Sequence, residues 1–164
     1  MIVKQGHRAF ELARKFAASA QLSDVRLASC KVWSQRQWSG SEAKSEVSFK
    51  VAAPDIGEKV AVLPISFSAR MVDNTTETDI FGIECELEGN YFLRTDYRPS
   101  LGEVAAFQEA NAVYHYWPFF REIVQNTSVR AGYPPIPIPH LMLSVEKSES
   151  EKPIKRVRLV KTPE

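Results

Sequence analysis

Two neighbouring stretches of sequence decide the fold, Tyr116-Trp117-Pro118-Phe119-Phe120-Arg121-Glu122 and Gly132-Tyr133-Pro134-Pro135-Ile136-Pro137-Ile138-Pro139. The first stretch reads as an aromatic helix, although its proline removes a backbone donor and would clash inside a continuous helix. In the second stretch, the glycine suits the left-handed position that ends a helix, and the prolines favour an extended chain. Together they predict a helix interrupted near Pro118, followed by a proline-rich crossing loop.

The composition of the 164-residue chain is typical of a soluble globular domain, with 44% hydrophobic and 25% charged residues. Its net charge of +1 gives no electrostatic reason to expect nucleic acid as a partner. Because no apolar run approaches bilayer length and charges interrupt the N-terminal segment, we expect neither a membrane span nor a signal peptide. Cys30 and Cys85 belong to no CxxC motif, which favours a reducing, cytoplasmic location.

The spacing of apolar residues predicts an α+β fold within a single domain of residues 1–164. Helical periodicity and strict alternation succeed each other along the chain. The predicted elements are an N-terminal helix (4–20), a four-stranded antiparallel β-meander (22–95), helices broken near Pro118 (101–131), the proline-rich crossing loop (132–143) and a basic tail (146–164). A long C-terminal helix is therefore expected to pack on one apolar face of the sheet.

The first predicted strand changes the parity of its apolar residues. Val25 and Leu27 fall on one face, whereas Cys30 and Val32 fall on the other. A β-bulge, or a strand covered on both faces, explains such a change. Apolar residues on both faces also suggest contact with a second subunit.

Residues that could carry catalysis or bind a metal are scattered. His7, His115 and His140 lie far apart and have no second ligand at metal spacing. Neither a phosphate-binding glycine loop nor a nucleophile motif occurs. The alternating glutamates of the fourth strand read as the solvent face of a sheet. We expect no metal site and no enzyme.

The aromatic helix offers more apolar surface than one sheet face needs. Aromatic side chains cover most of its circumference between residues 114 and 120, and the crossing loop adds further apolar side chains. Three uses remain open: self-association, a groove for another polypeptide, and the core alone.

At these residues the chain resembles the SecB family of export chaperones. That family has a four-stranded antiparallel sheet followed by a helix with the motif Leu-Phe-Pro-Tyr-Ala-Arg-Glu, which aligns here with residues 116–122. It continues with a glycine, an aromatic residue, a proline and alternating aliphatic residues, matched by Gly132, Tyr133, Pro134, Ile136 and Ile138. The resemblance covers about residues 22–143.

The resemblance implies a homotetramer, a dimer of dimers, whose grooves hold unfolded polypeptide without a nucleotide or cofactor. The residues expected to line the client-binding groove are Trp117, Phe120, Tyr133, Ile136, Ile138 and Leu141. Those expected at the subunit interfaces are Val25, Leu27, Cys30, Val32, Tyr114 and Tyr116.

The first strand and the basic tail, which lacks the family's short amphipathic helix, depart from the export chaperones and favour a dedicated client. Export members contact the SecA motor through acidic residues on the outer sheet face; Asp24 matches one of them, but Ala28 stands where a second is expected. The helix that runs into residues 20–27 is similar to SecB-like chaperones of toxin–antitoxin–chaperone systems, which guard an aggregation-prone antitoxin. The alternatives are a general export chaperone that binds SecA, and a small-molecule-binding α+β domain.

Overall fold

The computed structural model describes residues 1–35 and 42–145. The predicted basic tail, residues 146–164, lies outside the described residues. The elements in chain order are β1 (Ile2–Gln5), α1 (His7–Ser19), β2 (Ala20–Ser34), β3 (Ala43–Val51), β4 (Asp55–Ile56), β5 (Val60–Asp73), β6 (Asp79–Leu93), α2 (Leu101–Phe107), α3 (Val113–Arg130) and β7 (Met142–Val145). A π-helical turn, Gln108–Ala112, joins α2 to α3. The predicted α+β class is confirmed, with an antiparallel sheet, an N-terminal helix and a long C-terminal helix.

The order of strands in the main sheet differs from the predicted meander. The order is β2-β6-β5-β3, with β4 paired to the end of β5. Strands β3, β5 and β6 form a meander, and β2 lies beside the last of these, which makes a Greek key. As a result, β2 and β3 are the two edge strands of the main sheet in the part of the chain that the structure describes.

The parity change in β2 results from β-bulges. The register with β6 shifts between Leu22 and Asp24 and again between Leu27 and Ser29. A bulge adds one residue and resets which face the following side chains occupy. Leu27 and Cys30 therefore lie on the same face of the sheet, opposite Leu87 and Cys85 of β6. Of the two explanations that the sequence offered, the bulge is confirmed, and the strand with apolar residues on both faces is not.

The core lies between one face of the sheet and the helices. Along β5, alternate side chains from Leu63 to Met71 are buried, and β6 repeats this pattern from Phe81 to Leu93. Phe16 of α1 closes the core at one end, with its ring centroid 4.7 Å from that of Phe107. The opposite face carries the polar residues, as period-two alternation requires.

The long helix contains Pro118 in its interior. A capping box between Ser100 and Glu103 begins α2, and the chain then stays helical to Arg130. The expected break near Pro118, which would place that residue in the first turn of a second helix, is wrong. Pro118 and Tyr114 both lie on the exposed side of α3, so water can reach the carbonyl of Tyr114 that lacks its usual donor.

Gly132 ends the helix as predicted. Its φ of 83° is left-handed, and its amide donates to the Val129 carbonyl while that of Tyr133 donates to the Ser128 carbonyl. These two bonds form a Schellman motif. The crossing loop then runs extended to β7, which pairs in parallel with β1. The sequence did not predict this β1–β7 pair.

Pro64 lies in β5, which is a central strand and not the edge strand that proline favours. Pro64 lies opposite the short gap between the end of β3 and the start of β4. The buried Gln108 side chain donates there to the Pro64 carbonyl (2.8 Å) and to the Ala52 carbonyl (3.0 Å). The π-helical turn thus places an amide where the sheet is interrupted.

Candidate functional site

The aromatic motif of α3 faces the sheet. The rings of Phe120 and Phe67 stack at 4.9 Å between centroids. The Tyr116 hydroxyl donates to the Leu63 carbonyl at 2.9 Å. That side chain fills the space above Gly89, where an added Cβ would stand 2.1 Å from the hydroxyl oxygen. Tyr116 therefore packs in the core of this chain and does not present the interface surface expected of it.

Five of the six residues expected in the client groove are buried in the described chain: Trp117, Phe120, Ile136, Ile138 and Leu141. Tyr133, the sixth, is partly buried; its ring lies 4.9 Å from that of Phe81 and its hydroxyl donates to the Gln35 carbonyl. The crossing loop itself covers the helix, because the Trp117 indole N–H donates to the Pro139 carbonyl at 2.9 Å. Most of the apolar surface that was predicted to be in excess of the sheet is therefore buried within the chain, and Tyr114 and Phe119 are the aromatic residues of the motif helix that stay exposed in the described structure.

An open apolar pocket remains where the crossing loop approaches edge strand β3. Its volume is about 400 Å³. Its walls are the β3 residues Ser45 and Val47, the loop residues Pro137, Ile138 and Pro139, and Met1. Ile138, expected in the client groove, is the member of the predicted set that lines this pocket. Because β3 is an edge strand, one row of its backbone groups is also unpaired within the described sheet.

A second apolar groove lies between edge strand β2 and α3, with a volume of about 380 Å³. The sheet side of the groove is apolar, whereas its helix side mixes two apolar residues with four polar ones. The lining residues are Val25, Leu27, Cys30 and Leu87 on the sheet, and Phe119, Glu122, Ile123, Asn126, Thr127 and Arg130 on α3. Leu27 is 49% exposed and Val32, on the same face, is 44% exposed. Four predicted interface residues of β2 therefore share one open face. Tyr114, also predicted at an interface, is 52% exposed on α3.

The outer face of the sheet is polar, and its charges are mostly paired. Asp24, the candidate SecA contact, is exposed and accepts a hydrogen bond from the Asn90 side chain at 2.8 Å. Beside it, Arg26 forms an ion pair with Glu88. Arg70 binds Glu46 and Asp79 around a polar cleft of about 300 Å³. The Arg70 guanidinium, through its hydrogen bond, also holds the pKa of Glu46 below its usual value.

Titratable groups inside the molecule form a packing network. The Tyr91 hydroxyl lies 3.1 Å from Nδ1 of His115. Burial raises the pKa of Tyr91 and Tyr116 and lowers that of His115, so all three are neutral near pH 7. Across residues 1–35 and 42–145, no group of three or more acidic, histidine or cysteine side chains could hold a metal ion. No helix within these ranges is long and apolar enough to cross a bilayer.

Comparison with solved structures shows that this arrangement of sheet, helices and crossing loop is a SecB-like fold. One solved structure with this fold is the SecB-like chaperone Rv1957 of Mycobacterium tuberculosis, in complex with a ChAD peptide from the antitoxin HigA1 (Rv1956). It matches with a TM-score of 0.72 and 21% identity, over 80% of this chain and 96% of that chain. The fold implied by the sequence resemblance is confirmed.

A protein of unknown function from Streptococcus agalactiae also matches, with a TM-score of 0.35 and 14% identity over 74% of this chain and 97% of that chain. That likeness is too weak to carry an argument. No protein-family model matches the sequence, and no curated protein sequence matches it.

Five residues that line the β3 pocket were absent from the predicted groove, namely Met1, Ser45, Val47, Pro137 and Pro139. The position of Val47 at a sheet edge depends on the strand order, which was predicted wrongly. Met1 reaches the loop only because β1 pairs with β7. Four residues of apolar–polar alternation at a chain end are too few to predict such a pairing.

Proposed function

We propose that this protein is a molecular chaperone that holds non-native polypeptide without ATP, with an aggregation-prone antitoxin as its dedicated client. The observation that carries the proposal is the fold shared with a SecB-like chaperone solved in complex with an antitoxin peptide. Fold alone does not determine function, so a suitable binding surface is also required. The two apolar grooves at the sheet edges supply such surfaces.

The client is proposed to bind in the pocket between β3 and the crossing loop. Its walls are aliphatic and proline side chains, which favour apolar segments without demanding a defined sequence. The loop is extended and held by the bond from Trp117 to Pro139, so little order has to be gained on binding. Of the predicted client residues, Ile138 is assigned direct contact, whereas Trp117 and Phe120 support the loop from beneath.

The protein is further proposed to be a cytoplasmic homotetramer, a dimer of dimers, assembled through the β2–α3 groove. An edge strand with exposed Leu27 and Val32 beside exposed Phe119 offers an apolar surface continuous from strand to helix. A two-fold axis along such an edge places the same surface on both partners, and a second two-fold gives the tetramer. Apolar surface of this kind is usually covered in a soluble protein.

The client site is tested by filling the pocket from its rim. Ser45 is exposed and lines the pocket, so Ser45→Trp should occupy it without disturbing the core. Ser48→Trp is the matched control, since Ser48 is exposed on the outer face of the same strand. We expect Ser45→Trp to lose at least half of the parent's suppression of aggregation of an antitoxin, measured by light scattering without ATP. The control should keep it; equal protection by both variants would disprove the pocket assignment.

General export by way of SecA is the alternative, and exposed Asp24 is the observation in its favour. The neighbouring ion pair of Arg26 with Glu88 leaves less free negative charge for a motor that recognises acidic residues. Titration calorimetry with SecA separates the two functions. No detectable heat of binding is expected, whereas micromolar affinity lost in Asp24→Asn would favour export. Adjacent toxin and antitoxin genes would support the dedicated client.

A further inference from the structure

The two cysteines, 55 positions apart in sequence, lie directly opposite each other in the sheet. Cys30 of β2 pairs in register with Cys85 of β6, between the pairs Ser29–Glu86 and Lys31–Glu84. Opposed residues in an antiparallel pair have Cα atoms about 4.5 to 5.5 Å apart. Disulfides bridge Cα separations of roughly 4.4 to 6.8 Å, so this pair lies within reach of a covalent bond.

Both sulfur-bearing side chains point to the same side of the sheet. The residues flanking Cys85 on that face, Ile83 and Leu87, are buried, and Cys30 itself lines the β2–α3 groove. Cys30 is exposed, whereas Cys85 is 1% exposed. A reagent in solution therefore meets Cys30 first, with Cys85 immediately behind it. Cys30 is thus placed to react with an oxidant, and Cys85 is placed to resolve the oxidised Cys30.

We propose that Cys30 and Cys85 form an oxidative modification site, at which a peroxide converts them into a reversible disulfide between β2 and β6. In the first step the Cys30 thiolate attacks one peroxide oxygen; the O–O bond breaks, and Cys30 becomes a sulfenic acid while the other oxygen leaves as water after protonation. In the second step the Cys85 sulfur attacks the Cys30 sulfur. The S–O bond breaks, the S–S bond forms, and the Cys85 proton leaves with the hydroxyl as water.

Because the pKa of each thiol is raised, the oxidation should be slow at neutral pH and faster at alkaline pH. Burial raises the pKa of the Cys30 thiol, and that of Cys85 is raised to about 12 by burial and by the neighbouring Cys30. The thiolate is the reactive form, so the rate should rise with pH. Each oxidation uses one peroxide and withdraws two electrons from the two thiols.

The disulfide would change the β2–α3 groove. It removes a thiol from the groove lining and joins the edge strand to its buried neighbour by a covalent bond. This inference rests on the register of β2 with β6 and not on the proposed function. Covering of the groove by a second subunit would slow the reaction but leave its product the same.

The test uses the full-length protein, reduced, desalted and then treated with increasing hydrogen peroxide at pH 7 and pH 9. After unfolding and alkylation with N-ethylmaleimide, intact mass spectrometry counts the remaining thiols. We expect a single-chain product that has lost both alkylatable thiols, forms severalfold faster at pH 9, and is restored by dithiothreitol. A peptide map should show the Cys30 peptide linked to the Cys85 peptide.

Variants show whether the two sulfurs react with each other. In Cys85→Ser and Cys85→Ala, Cys30 should proceed to sulfinic acid, which dithiothreitol does not reverse, because the resolving thiol is absent. In Cys30→Ser, the buried Cys85 should stay reduced. The proposal is overturned if Cys85 remains alkylatable after Cys30 has been consumed, or if Cys30 is found only in disulfides with a second chain. It is equally overturned if both thiols survive prolonged treatment with excess peroxide at pH 9.

Discussion

The two edges of the sheet present apolar surface in different ways. At the β3 edge, the chain's own crossing loop and Met1 form a walled pocket. At the β2 edge, Leu27 and Val32 are exposed, and the groove continues directly onto α3. The first surface is walled by the chain's own loop, whereas the second includes side chains exposed along an edge strand. The proposed assignments follow this difference: the loop-walled pocket is assigned to a peptide, and the exposed strand with its helix to a second copy of the chain.

The largest effect is expected from charges placed on the β2 strip. The double substitution Leu27→Asp with Val32→Asp should convert the proposed tetramer to smaller species, because two carboxylates per chain would be desolvated on assembly. The free energy of unfolding of the single chain should change by less than about 1 kcal/mol, since both side chains are already exposed. Light scattering coupled to size exclusion measures the mass.

Ser29→Asp is the control for the β2 strip, since it adds a charge to the outer face of the same strand. It should leave the mass unchanged. A tetramer that survives both groove charges would show that the β2 strip does not carry assembly. An 18.5 kDa monomer in the parent at micromolar concentration would remove the proposed assembly altogether.

Truncation of one aliphatic side chain at each edge should lower the free energy of unfolding more for the buried residue than for the exposed one. Ile138→Ala should destabilise the chain by about 2–4 kcal/mol, because the Ile138 side chain of the crossing loop is buried in the core and its removal leaves a cavity. Leu27→Ala should cost less than about 1 kcal/mol in a dissociated chain. Urea unfolding of each variant in the assembly-deficient background measures both. Similar costs would contradict the burial difference between the edges.

The loop that walls the β3 pocket should loosen when its bond to α3 is removed. Trp117→Phe keeps a ring in the core but deletes the N–H that binds the Pro139 carbonyl. We expect a loss of about 1 kcal/mol in stability. Hydrogen exchange should become faster at Ile138 and Leu141, while amides of β2 keep their rates. Unchanged exchange throughout would mean that this bond does not hold the loop.

The smallest effect is expected in the pH dependence of stability, through His115 of α3, which contacts Tyr91 of the central strand β6. Burial lowers the pKa of His115 below its ordinary value of 6.5, so the unfolded chain binds this proton more readily than the folded one. The resulting stability is complete above pH 6.5 and is lost as the pH falls from there toward the folded pKa. His115→Phe should flatten this part of the stability curve. Denaturant titrations between pH 7.5 and pH 5 would show an unaltered slope if His115 plays no part.

How far the sequence predicts this molecule depends on the range of the interaction involved. Local signals succeeded: Gly132 ends the helix, and alternation marked the strands of the core. The strand order failed, because alternation assigns faces but says nothing about which strand lies beside which. Pro118 was misplaced because its tolerance depends on solvent access to the Tyr114 carbonyl, which only the packing of α3 determines.

The candidate site was predicted by residue type more than by position. The excess of aromatic residues led to the prediction of an open groove. In the structure Trp117 and Phe120 are buried, and the crossing loop bonds back to Trp117. One helix therefore buries more than one apolar stripe. The four β2 residues share one face because bulges bring Leu27 and Cys30 to the same side, which alternation alone did not show. Their place at a subunit interface stays a prediction. The pairing of Cys30 with Cys85 could not be read from the sequence, since it depends on the register of strands that are not adjacent in the chain.

The parallel pairing of β1 with β7 sets the order in which this protein can be completed during synthesis. Residues Ile2–Gln5 leave the ribosome early, yet their partners Met142–Val145 are translated some 140 positions later. The main sheet and α1 can fold before β1 pairs with β7, whereas Met1 reaches the β3 pocket only once that pair has formed. A nascent chain therefore lacks a finished pocket until the crossing loop and β7 have both emerged.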